Sequence, residues 1–217
     1  MEFNTDIRAA KYTRDIAYAT MENSCYRHNP CDKAKFEVSA HNFIDLSEQG
    51  YGLSILNDCK YGFEVHERRM MISLLKGPLN PDPQSDFGEH NFIYSLYPHA
   101  GDWREGGTLA AGLALNNPMH VVPLGGGDGP SSGSFMSVTA ANVTLEAVKK
   151  CEAEDAFIVR VAEKTGASAD VTLSFFKEIA EACECNLLER EDVPCAFEGN
   201  QIQFTIRPFE IRTFKIK

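Results

Sequence analysis

Apolar residues recur at every second position along much of this chain, the spacing that loads one face of a pleated strand. Ile202, Phe204 and Ile206, for example, stand against Gln203, Thr205 and Arg207. Strands are predicted over 16–21, 34–41, 52–57, 70–76 and 89–97, then over 142–150, 156–163, 169–176, 181–188, 201–207 and 210–216. Short strands bounded by turn residues indicate an all-β sandwich architecture. One helix is predicted between Asp102 and Leu115, where Trp103, Leu109, Leu113 and Leu115 sit among alanines. Gly106, Gly107 and Gly112 weaken it.

Residues 123–133 run Pro-Leu-Gly-Gly-Gly-Asp-Gly-Pro-Ser-Ser-Gly, a composition suited to neither helix nor strand, and read as a linker. Residues 134–217 beyond it have the size and strand rhythm of one small β-sandwich. The same glycines lack the Lys-Ser/Thr of a phosphate-binding loop, and no convincing helix follows them.

Composition narrows the function classes. The 217 residues are 43% hydrophobic and 24% charged, within the ordinary soluble range. A net charge of −10 argues against nucleic acid and anionic membranes, both of which call for a basic face. Seven cysteines, an odd number unevenly spread over a chain of this length, suit a reducing compartment better than a disulfide framework. Charges at Glu2, Asp6, Arg8, Lys11, Arg14 and Asp15 leave no apolar leader, so the expected location is cytoplasmic. The uncharged run from Gly106 to Gly127 is broken by Asn116, Asn117, Pro118, His120 and Pro123 and is no spanning helix.

Few motifs carry chemistry. No Gly-x-Ser-x-Gly and no His-Glu-x-x-His occurs. Cys183-Glu184-Cys185 sets two thiols on one side of a strand, but a second pair with ligand spacing is missing, and no metal site is expected. Asn142-Val143-Thr144 matches the glycosylation pattern by accident. The segment 74–90 is the densest polar run. Pro78, Pro81 and Pro83 stiffen it, which suits either a functional loop that holds Asp82, Asp86 and His90 near one another or, favoured by composition alone, a rigid surface connection whose charges are solvated. His99 and Trp103 lie close together and suggest an aromatic, sugar-stacking corner, set against a core-closing cluster.

Ordered matches then accumulate. They include Cys31-Asp32-Lys33-Ala34-Lys35-Phe36-Glu37, Asp45-Leu46-Ser47-Glu48, Leu56-Asn57-Asp58-Cys59-Lys60-Tyr61-Gly62 and Leu74-Leu75-Lys76-Gly77-Pro78. Pro81-Asp82-Pro83, Tyr97-Pro98-His99, Gly101-Asp102-Trp103-Arg104-Glu105 and Arg207-Pro208-Phe209-Glu210-Ile211 continue the series. This succession resembles the C-terminal β region of the bacterial and cytosolic α-mannosidases of glycoside hydrolase family 38. The resemblance implies a partial large β-sandwich of the galactose-mutarotase-like type over 1–122 and a small immunoglobulin-like sandwich over 134–217.

Enzymes of that family are retaining and zinc-dependent, and their catalytic and zinc-binding residues lie in an N-terminal barrel. The resemblance therefore implies no catalytic residue and no metal ligand in this chain, with zinc belonging to the barrel and the α-mannoside reached through it. It marks Lys76 as the basic residue nearest a bound sugar, with Asp86 and His90 as supports. Relatives commonly place arginine there, so Lys76 keeps the charge and loses the bidentate fork. The expected function is the non-catalytic C-terminal β portion of an α-mannosidase; the alternative is a free-standing carbohydrate-binding or assembly module. Either a homo-oligomer or a separately encoded N-terminal partner is expected, because a sheet cut in mid-domain leaves unpaired edges.

Overall fold

The computed structural model describes every residue except Leu124, Gly127, Asp128 and Pro130. Those four fall within the expected linker 123–133, which lies to that extent outside the described residues. The chain divides into two compact units, Met1–Val121 and Val122–Lys217. Each is built almost wholly from antiparallel strands.

The first unit contains β1 (Glu2–Asn4), β2 (Lys11–Ile16), β3 (Ala19–Ser24), the short α1 (Pro30–Ala34), β4 (Val38–Ser39), β5 (Phe43–Glu48) and β6 (Tyr51–Asn57). It continues with β7 (Gly62–His66), β8 (Arg69–Ser73), β9 (Tyr94–Ala100) and α2 (Thr108–Asn116). A five-stranded sheet, β3-β2-β5-β6-β9, and a four-stranded sheet, β1-β8-β7-β4, bury one core between them. Tyr12, Ile44, Leu46 and Ile55 come from the first sheet, and Phe63, Val65, Met70 and Ile72 from the second. The other face of the five-stranded sheet carries Phe43 and Leu56, which Trp103 and Leu109 cover.

That double coverage explains a strand that alternation misses. Phe43, Ile44, Asp45 and Leu46 are all buried, so β5 reads as a run with a carboxylate inside it. The strand predicted at 16–21 straddles a hairpin instead: β2 ends at Ile16, β3 starts at Ala19, and Tyr18 turns the chain with φ +59°. The predicted strand at 34–41 shrinks to two residues because Asn29 caps α1, accepting from the Asp32 N–H, with Pro30 at the first helical position. The predicted helix starts only at Thr108, preceded by Gly107 at φ +69°.

The second unit contains β10 (Met136–Val138), β11 (Val143–Lys150), β12 (Phe157–Glu163), β13 (Ala169–Phe175), β14 (Ala182–Cys185), β15 (Val193–Pro194), β16 (Gln201–Ile206) and β17 (Ile211–Ile216). Sheets β10-β13-β16 and β11-β12-β17-β14-β15 enclose Val159, Val161, Val171, Leu173, Ile202 and Phe214. Here alternation is a good guide on β13 and β16, which have one inner face and one outer, whereas β12 and β17 are buried over much of both faces. Glu163 ends β12. It is buried and accepts from Asn142, from the Thr165 N–H and hydroxyl, and from the Gly166 and Phe209 N–H groups, tying three loops to the end of β12.

Candidate functional site

The loop between β8 and β9 brings Lys76, Asp86 and His90 together. Asp86 Oδ2 accepts from the backbone N–H of Gly77 at 2.7 Å and of Lys76 at 3.3 Å, closing the loop across its proline-rich stretch. A ring nitrogen of His90 lies 2.9 Å from the Asp86 carbonyl. The Lys76 ammonium donates to Glu37 at 2.5 Å, and Ser73 donates to the other Glu37 oxygen at 2.6 Å. These two donors hold the Glu37 carboxyl below the usual carboxylate range. The Lys76 side chain remains 66% exposed, so its charge is anchored yet reachable. Asp82 turns back on the loop itself and accepts from the Gln84 N–H. Glu37 has no signal in the sequence; only the fold sets the segment after α1 beside the end of β8.

His99 and Trp103 are placed differently. Trp103 is 2% exposed, its ring 5.7 Å from Phe43, with the Arg104 guanidinium 4.3 Å over it. His99 is buried on β9 with Nε2 2.7 Å from Asp45 Oδ2. Neither ring offers a free face on which a sugar could stack. Both belong to the layer under α2, where aromatic area counts as packing.

A buried polar network surrounds His99. Asp45 also accepts from Ser47 and, at 2.8 Å, from Ser54, whose hydroxyl is 2.8 Å from that of Thr108 at the start of α2. Register builds this network: Asp45 faces Ser54 across β5 and β6, while Ser47 and His99 both face Gly52 from either side. A Cβ at Gly52 would lie 2.2 Å from His99 Cε1, and one at Gly106 would lie 2.4 Å from its Cγ. Two glycines thus make the slot for the imidazole. Burial raises the Asp45 carboxyl above its ordinary value, against the opposing pull of Ser47, His99 and Ser54. His99 Nδ1 and Trp103 Nε1 have no partner among the described residues. Through the Ser54–Thr108 contact the network ties α2 to the sheet.

In the second unit Cys183 and Cys185 lie on β14, and burial pushes the Cys185 thiol up to about 11, leaving it a poor nucleophile. Lys215 beside them is nearly buried, bonded to Asp192 at 2.7 Å and Glu154 at 2.9 Å. Both thiols are free, and the described residues contain no cluster of three or more His, Cys, Asp or Glu fit to hold a metal. Asn142 spends its amide on Glu163 and on the Ala167 carbonyl. No helix among the described residues is long and apolar enough to cross a membrane.

Comparison with known proteins adds to this geometry. Residues 1–84 match the model of the glycosyl hydrolases family 38 C-terminal domain, and residues 142–214 that of the family's C-terminal beta sandwich domain. Over 216 residues the chain is 35% identical to Alpha-mannosidase 2C1 of Homo sapiens, an alignment taking in 97% of this chain and 21% of that protein. It is 30% identical over 240 residues to Alpha-mannosidase of Saccharomyces cerevisiae, covering 100% and 22%. The crystal structure of an α-mannosidase from Enterococcus faecalis V583 superposes with a TM-score of 0.80 at 20% identity, over all of this chain and 25% of that one, a likeness of fold. The chain thus spans about a fifth of the length of the relatives it matches.

Proposed function

The chain belongs to the C-terminal β region of glycosyl hydrolase family 38, and from that premise we propose that it serves as the non-catalytic β portion of a retaining α-mannosidase acting in glycan breakdown. The two family matches carry this reading: they fall one in each compact unit, in the order first C-terminal domain, then beta sandwich. In the proposal, the acid/base pair and the zinc belong to the catalytic region of such an enzyme, and this chain supplies a scaffold and one edge of the approach to the sugar.

The edge is the loop at 76–90. Lys76 is held by Glu37 but exposed, and the loop around it presents Leu79 and Phe87 to the outside, an apolar surface its own unit does not use. A point charge of this kind can hydrogen-bond a sugar hydroxyl or balance a carboxylate brought against it, while Asp86 fixes the backbone from which it projects. Seven free cysteines accord with a reducing, cytoplasmic setting.

Incubating the purified 217-residue chain with a chromogenic α-mannoside and added zinc tests the reading. No turnover above buffer is expected, and turnover by the chain alone overturns it. Calorimetric titration with mannose oligosaccharides to millimolar concentration addresses the free-standing lectin alternative, for which saturable heat is the signature. His99 and Trp103, both buried, lend that alternative no support.

A further inference from the structure

We draw no further inference here: the strongest candidate, the apolar groove that Phe135, Phe157 and Phe176 line at the β10 end of the second unit, carries nothing, because nothing in the structure shows what covers it.

Discussion

His99 Nε2 lies 2.7 Å from Asp45 Oδ2, with both side chains about 2% exposed, on the same face of a sheet covered on both sides. The two residues are 54 positions apart, and they meet only because Gly52 lies between their strands with no side chain. Removing the imidazole would leave a buried carboxylate short of a donor, and unpaired buried groups are far more harmful than absent ones. His99→Ala is therefore expected to destabilise the first unit by about 3 kcal/mol, measured by urea unfolding. A loss within error would show that the network is incidental.

Gly52→Ala should act through the same slot. Its Cβ would meet His99 Cε1 at 2.2 Å and Ser47 Oγ at 2.6 Å, so the ring must leave Asp45 or the strands must part. We expect a loss of about 2 kcal/mol, typical of overpacking. Gly125→Ala, which would meet no atom within 4 Å, is the matched control and should be nearly silent.

The buried Glu163 gives the second unit an acid-sensitive joint. Burial pushes its carboxyl upward, but donation from Thr165, Phe209 and Gly166 outweighs this and holds the group below the usual carboxylate value of 4.5. The folded unit then binds the proton less readily than the unfolded chain. Its stabilising contribution is complete above the unfolded value and drains away as pH falls through the folded one. In Glu163→Gln the amide faces N–H donors whichever way it is turned, and we expect a loss of about 2 kcal/mol at pH 7. The gap between parent and variant should narrow steadily below pH 4.5; a gap that stays constant down to pH 3 would contradict the assignment.

Asp86→Ala should leave global stability within about 0.5 kcal/mol, since the site is exposed. It removes the acceptor for the Lys76 and Gly77 N–H groups, so cleavage between 77 and 86 by a dilute protease is expected to accelerate several-fold. Unchanged cleavage would mean that the prolines alone hold the loop.

Residues 134–217 include every strand of the second unit and all of its core, from Met136 on β10 to Ile216 on β17. As a separate fragment they are expected to unfold in one cooperative transition, as domains of that size do. A broad, non-cooperative melt would show that the unit depends on the rest of the chain.

What the sequence determined by itself was the all-β class, the family and the strands with one wet face. Ile202, Phe204 and Ile206 alternate with polar neighbours because β16 has water on one side, and that asymmetry is written in residue order. It also marked the segment that gathers Lys76, Asp86 and His90, because prolines and a short carboxylate act locally. Tertiary structure alone decided the rest. β5 has no wet face, and nothing in residue order announces that Asp45 is enclosed there with Ser54, His99 and Thr108. Glu37 reaches Lys76 across 39 positions. Contacts of that range depend on strand register and on which sheet lies opposite, quantities that no local pattern of residues records.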